Sequence, residues 1–377
     1  MTAALPRVMG CVVAVAMLGQ QSPAVVTAGD RQSPKIVSPE VDADRRVTFR
    51  VYAPAATKVD VVQFAPSPTF GSQVDAIALP MTRAGNVWTA RSAPLAPDIY
   101  SYKFSIDGDI VNDPANDAVI EEFHLTSSKV SVPGALWTDA GAPAGAVTRH
   151  TYASPVAGGD VEYVVYTPPH YEASRHERYP VVYLLHGLGD TAASWVTNGG
   201  ADLTLNNLIA QHRLKPIVVV MPQCHPPGRM GLVPEAFEKS FFDELIPRIE
   251  GEYDVSRAAA TRALAGVSVG GAQAMSIGMR RTDMFTALGL FSVSFGTMSS
   301  TPGLPDPRQL PLDLSALREV FLGFGTEEHG FADPSRAFAE SLRSRHMRVV
   351  TVEVKGQGHV WPVWRQAFAD FLQTLFP

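Results

Sequence analysis

Two periodicities divide the chain. From about residue 30 to 126 apolar positions recur at every second residue in short runs, the period of half-buried strands. Val47-Thr-Phe-Arg-Val-Tyr52 alternates in this way and ends at Ala53-Pro54. Lys58 to Phe64 and Val87 to Ala90 repeat the pattern, the latter after a turn at Ala84-Gly-Asn86. Ile99-Tyr-Ser-Tyr-Lys-Phe-Ser-Ile106 puts Tyr100, Tyr102, Phe104 and Ile106 on one face, and Asp107-Gly108 then marks a hairpin turn. Short strands at this spacing predict a β-sandwich of immunoglobulin type over residues 30–126. Trp88, Tyr100 and Tyr102 offer either a sugar-stacking platform or core packing, and core packing is the commoner use of such aromatics.

Ser127 to Val147 is rich in Gly, Ala, Ser and Pro, with Trp137 its only large anchor, and reads as a linker. From Thr148 to 377 strand-like runs alternate with helical ones. Val161–Tyr166 reads as a strand stopped by Pro168 and Pro169, and Pro180–Leu185 and Pro216–Met221 are continuous apolar runs, as strands buried on both faces are. Leu203–His212 reads as a helix. Pro234–Tyr253 carries Phe237, Phe241, Leu245, Ile246 and Ile249 on one helical face. Ala263–Val267, Phe285–Phe291, Glu319–Phe324 and Val349–Val354 complete the strands, and Gly271–Met279, Pro334–His346 and Trp361–Leu375 the helices. The Pro/Ser/Gly-rich stretch from Ser292 to Asp313 reads as a substrate-facing loop. Repeated β–α alternation predicts an α/β architecture, a mostly parallel, doubly wound sheet with helices on both faces, preceded by the small all-β sandwich.

Composition narrows the partners. The chain has 377 residues, 46% hydrophobic and 18% charged, with a formal net charge of -6. It can bury sizeable cores, and neither its charge nor any Lys/Arg block points to nucleic acid or an anionic membrane. Arg7, the apolar run Val8–Leu18 and the small residues Val26-Thr-Ala28 read as an export signal over residues 1–28, too short to span a bilayer. The expected location is therefore secreted or periplasmic, with no membrane span in the mature form. Cys224 is then the only thiol left, and it reads as a small buried hydrophobe. Oligomeric state is not legible.

The chemistry gathers on loops at the carboxyl ends of predicted strands, where open α/β sheets carry their sites. Gly266-Val-Ser-Val-Gly270 fits G-x-S-x-G between a strand and a helix, the setting of a nucleophile elbow, with Ser268 as nucleophile. Glu327 and Glu328 follow Glu319–Phe324, and His359, in Gly356-Gln-Gly-His359, follows Val349–Val354. Serine, acid and histidine stand in the chain order of α/β-hydrolases. In this reading His359 is the general base and a carboxylate behind it fixes its tautomer. His186-Gly-Leu-Gly-Asp190 follows another strand and offers a backbone N–H to a developing oxyanion, Val269 the second. No H-E-x-x-H and no cysteine pair is present, so no metal or other cofactor is expected.

With these residues in place, the chain resembles the esterase D-like, family 1 carbohydrate esterase branch of the α/β-hydrolases. That branch includes feruloyl and acetylxylan esterases and, more distantly, enterochelin esterases. The likeness runs over Tyr163–Tyr171, Tyr179–Gly187, Asn206–Ala210, Arg262–Gly271, Gly323–Glu328 and Gly356–His359, with Ser194-Trp195 after the His-Gly loop. Ser38-Pro-Glu-Val, Val47–Pro54, Ile99–Tyr102 and Asp113-Pro-Ala-Asn116 resemble the glycogen-binding-like module that precedes many of these esterases. The resemblance implies Ser268 as nucleophile, His359 as base, Glu328 as acid, and Leu188 and Val269 as oxyanion donors. Most relatives carry Asp where Glu328 stands, so Glu327 and Asp333 stay open as the acid. The expected activity is serine-dependent hydrolysis of acyl esters on carbohydrates, with an ester-bearing small molecule or polysaccharide as partner. A siderophore trilactone esterase, an acyltransferase and a non-catalytic carbohydrate-binding protein are the alternatives.

Overall fold

The computed structural model describes residues 35–67, 76–173, 177–310 and 312–376. The export-signal reading of residues 1–28 lies outside them.

The front sandwich is built from β1 (Glu40–Val41), β2 (Val47–Tyr52), β3 (Val59–Ala65), β4 (Ile77–Pro80), β5 (Thr82–Ala84), β6 (Val87–Arg91), β7 (Asp98–Ile106), β8 (Asp109–Val111), β9 (Val119–Glu122) and β10 (Leu125–Val132). One sheet runs β1-β2-β6-β5, and the other β4-β3-β7-β10-β9 with β8 paired to β7. The alternation read from the sequence is the alternation observed: Val47, Phe49 and Val51 of β2 point into the core against Phe64, Tyr102 and Phe104. Phe49 lies edge-on to Phe64, ring centroids 5.2 Å apart, an arrangement that adds to their area burial. Trp88, Tyr100 and Tyr102 are at most 7% exposed, and their polar ends turn inward, to Ala53 O, Ala96 O and Asp113 Oδ2. They are core packing and no platform. Asp113 also accepts from Ser38 Oγ at 2.6 Å, which ties together three of the motif segments read from the sequence.

Strand β10 corrects the linker. Ser128, Val130 and Val132 alternate inward, and β10 pairs with β7 and β9, so the connection shortens to 133–145. Trp137 anchors it through Nε1–H to Asp98 Oδ1 at 2.8 Å.

The second sheet comprises β11 (Ala146–Ser154), β12 (Gly159–Thr167), β13 (Val181–Leu185), β14 (Val218–Pro222), β15 (Arg262–Val267), β16 (Ala287–Phe291), β17 (Glu319–Gly325) and β18 (Val349–Val354). Their order is β11-β12-β14-β13-β15-β16-β17-β18, antiparallel at the first two strands and parallel from β14 to β18. Helices α1 (Ser194–Thr197), α2 (Ala201–Ala210), α3 (Pro234–Ser240), α4 (Ile246–Glu252), α5 (Ser268–Arg280), α6 (Phe295–Ser300), α7 (Ala332–Arg343) and α8 (Trp361–Thr374) cover it. Val181, Tyr183 and Leu185 of β13 enter one core, with Phe241 and Ile249; Val182 and Leu184 enter the other, with Trp195 and Phe368. Burial on both faces is why these strands lack alternation. Between α3 and α4 a π-helical turn, Phe241–Leu245, precedes Pro247, whose missing N–H takes no place in the helical ladder. The stretch 292–313 is not wholly a loop. It contains α6 and a 3₁₀ turn at Pro307–Gln309, and Phe295, Met298 and Leu304 are buried, so much of it packs as core.

Candidate active site

Ser268 opens α5 directly after β15, with φ +55°. A non-glycine residue in this left-handed region stores strain, which concentrates at functional turns. The glycines beside it are required by close approach. A Cβ at Gly270 would stand 2.2 Å from the carbonyl oxygen of His186, and one at Gly266 would stand 2.5 Å from that of Gly270. The elbow therefore packs backbone against backbone, and Ser294 N–H fixes it further by donating to Ser268 O at 3.1 Å.

His359 lies between β18 and α8, with Nε2 3.1 Å from Ser268 Oγ. Phe331 stacks on its ring at 4.2 Å with an interplanar angle of 25°, and Trp364 stands edge-on at 5.0 Å. Nδ1 faces Glu328 Oε2 at 3.7 Å, longer than a hydrogen bond, and both atoms are buried with no other partner. The other carboxylate oxygen is engaged: Glu328 Oε1 accepts from Ser292 Oγ at 2.7 Å, and Ser292 Oγ accepts from Trp364 Nε1–H at 2.9 Å. Of the three acids left open by the sequence, Glu328 is the one turned to His359. Glu327 is exposed, and Asp333 is 93% exposed at its side chain and paired with Arg336.

The loop His186–Asp190 follows β13 and runs alongside the elbow; a Cβ at Gly187 would lie 3.7 Å from Ser268 Cβ. His186 is fully buried. Its Nδ1–H donates to Gly187 O at 2.8 Å and its Nε2 accepts from Cys224 N–H at 2.9 Å. Burial, with the neighbouring His225 second, pushes its pKa down to about 3, so the ring is neutral and its tautomer set. Asp190 is buried as well, and burial first, then the charge of Glu122, pushes its carboxyl up to about 7. Its Oδ2 accepts from Gly187 N–H at 3.3 Å. Leu188 forms the exposed tip of the turn. Val269 is the second residue of α5, where a backbone N–H has no intrahelical acceptor. Loop and elbow thus come together as the sequence suggests.

Cys224 is buried, and burial raises its thiol pKa, which makes it inert. A cavity of about 310 Å³ opens beside it after β14, lined by His225, Pro226, Arg229 and Phe237 and not by Ser268 or His359. Among the described residues no cluster of His, Cys, Asp or Glu is arranged to hold a metal ion, and no helix is long and apolar enough to cross a membrane. Sequence reasoning missed Ser292 and Trp364. Ser292 had a signal: it is a polar residue at the carboxyl end of a buried strand, as the other candidates are.

A strained serine on a strand–helix elbow, within hydrogen-bond reach of a histidine at the carboxyl edge of a mostly parallel sheet, places the protein in the α/β-hydrolase class. Residues 154–375 match the family described as "Putative esterase", more than half of the chain, and the chain belongs to that esterase family. Residues 37–119 match carbohydrate-binding module 48, the isoamylase N-terminal domain. Over 353 residues the chain is 30% identical to an endo-1,4-beta-xylanase/feruloyl esterase of Xylanibacter ruminicola, covering 90% of this chain but 46% of that protein. The chain therefore spans about half the length of that relative. A ferulic acid esterase of Anaeromyces mucronatus shares the fold at a TM-score of 0.55 and 24% identity, over 63% of this chain and 93% of that one. The enterobactin esterase of Shigella flexneri aligns over 88% of this chain and 94% of that one, at a TM-score of 0.58 and 18% identity.

Proposed function

We propose that this protein is a secreted or periplasmic serine esterase that hydrolyses acyl esters carried on carbohydrate, of the feruloyl or acetyl xylan type. The observation that carries the proposal is the 3.1 Å approach of His359 Nε2 to Ser268 Oγ on a strained elbow. The named activity of the xylanase/feruloyl esterase relative supports the choice of ester. Ser268 Oγ attacks the ester carbonyl while His359 takes its proton. Glu328 steadies the imidazolium from the Nδ1 side, and the N–H groups of Leu188 and Val269 receive the oxyanion. Collapse expels the alcohol with the proton from His359, leaving an acyl-enzyme. Water, activated by the same histidine, then releases the acid and restores Ser268.

Hydrolysis of p-nitrophenyl acetate and methyl ferulate by wild type and Ser268→Ala tests the reading. The expected result is a loss of at least about 1,000-fold in kcat; wild-type turnover by the variant refutes it. The enterobactin esterase neighbours, which align over both parts of the chain, favour a trilactone as the second reading. Rates on methyl ferulate, acetylated xylan and a catecholate trilactone measured side by side separate the two.

A further inference from the structure

The β9–β10 hairpin of the front sandwich reaches the loop that flanks the nucleophile. Its turn, Phe123-His124, delivers the Phe123 N–H to the carbonyl oxygen of Gly189 at 2.8 Å. The base of the hairpin is tied down on the same side. Ser194 Oγ donates to Glu121 O at 2.9 Å, Glu121 N–H reaches Thr197 Oγ1 at 3.4 Å, and Lys129 Nζ donates to Thr197 O at 3.0 Å.

The loop needs such a restraint. Leu188 sits between Gly187 and Gly189, and Gly189 has φ +82°. Two flanking glycines leave the backbone many accessible conformations, whereas an oxyanion donor works only when aimed before the charge develops. Within the loop, Gly187 is held by the Asp190 carboxylate and by the His186 ring. Gly189, on the other side of Leu188, is held from outside, by the front sandwich.

We propose that Phe123 is a positioning residue for turnover: its backbone N–H fixes Gly189, so that the Leu188 N–H stays aimed at the oxyanion formed on the Ser268 adduct. This rests on the reading of Leu188 as an oxyanion donor. The consequence is that the front sandwich contributes to hydrolysis of small esters that carry no sugar, by completing the active-site frame. Asp190 is buried at this junction and Glu122 is half-buried beside it.

The test uses the full chain and p-nitrophenyl acetate, a substrate too short to need a glycan site. Phe123→Pro removes the N–H. It is expected to lower kcat about ten-fold, less than the loss of a whole oxyanion donor, with KM within about two-fold. Amide exchange over residues 186–191 should accelerate in the same variant. Phe123→Ala keeps the N–H and should cost at most about three-fold in kcat. A kcat for Phe123→Pro within about two-fold of wild type overturns the proposal. So does an equal loss in Phe123→Ala, or unchanged exchange in the loop. Where Phe123→Pro fails to fold, Lys129→Met cuts the hairpin's tie to Thr197 O without touching residues 186–191 and should move kcat and loop exchange in the same direction; no movement in either overturns the proposal. Full activity of Ser268→Ala refutes the esterase mechanism separately, since the exchange measurement reads the clamp without turnover.

Discussion

The buried ion pair between Asp98 and Arg365 decides whether the front sandwich is a tethered appendage or part of the hydrolase. Asp98 begins β7, and Arg365 lies in α8, the helix that follows His359. Arg365 is fully buried; its Nη1 reaches Asp98 Oδ1 at 2.6 Å and its Nε donates to Asn198 O at 2.8 Å. Burial pushes the guanidinium below its usual range and Asp98 pulls it back. Asp98→Ala leaves that charge uncompensated, and Trp137 Nε1–H loses its acceptor too. Breaking one side of a buried pair costs about 3–5 kcal/mol, a large share of a total stability of about 5–15 kcal/mol. Replacing both partners with apolar groups removes the desolvation penalty along with the attraction, so Asp98→Ala/Arg365→Met should recover most of the loss. Urea unfolding followed by tryptophan fluorescence and circular dichroism measures both. A cost under about 1 kcal/mol for Asp98→Ala, or a double variant as unstable as the single one, refutes the reasoning.

Two further outcomes follow from the site. Ser292→Ala removes the donor to Glu328 Oε1 and should lower kcat about ten-fold with KM unchanged. In a Glu328→Ala background the same change should matter less than about two-fold, and an equal loss in both backgrounds counts against a role through Glu328. Asp190 and His186 give opposed pH dependences. Asp190, with its carboxyl raised from 3.8 to about 7, keeps a proton that the unfolded chain loses, so stability falls as pH rises through that window. His186, lowered from 6.5 to about 3, refuses a proton that the unfolded chain takes up, so stability rises with pH between those values. Asp190→Asn removes the first slope, and its unfolding free energy should climb more steeply than wild type between pH 4 and 6.5; parallel profiles would disprove the assignment.

Strands that bury alternate or continuous apolar residues were legible because their period is a physical consequence of the pleat. Those missed lack that signal. β4 and β5 keep most of their side chains in solvent, and β10 buries Ser128, whose hydroxyl accepts the Asp113 N–H, in place of a hydrophobe. A serine-rich strand held by side-chain hydrogen bonds reads locally as linker. Helix α6 hides in the same way, since Pro and Ser around it suggest a loop while Phe295 and Met298 supply the burial. At the site, Ser268, His359 and the carboxylate pair were legible as candidates from the G-x-S-x-G pattern, the chain order and their positions at strand ends. Glu328 came from the family resemblance, while the residues alone left Glu327 and Asp333 open, because that choice depends on which side chain the turn after β17 directs inward.

The front module illustrates how a domain match and a local reading can diverge. Its likeness to a carbohydrate-binding module invites a search for stacking aromatics, and Trp88, Tyr100 and Tyr102 are the ones the alternation supplies. All three are spent on the sandwich core, each with its polar end satisfied by a carbonyl or carboxylate. What the module presents to the hydrolase is backbone and charge instead: the Phe123 N–H on the Gly189 carbonyl, and Asp98 on Arg365. Both contacts reach elements adjacent to proposed catalytic groups, one beside Leu188 and the other one turn into the helix after His359. A module that only recruited substrate would not need buried polar ties at those two points, because removing such a tie costs stability without altering glycan affinity. Their placement argues that the sandwich is tied into the hydrolase fold at the His186–Asp190 loop and at α8.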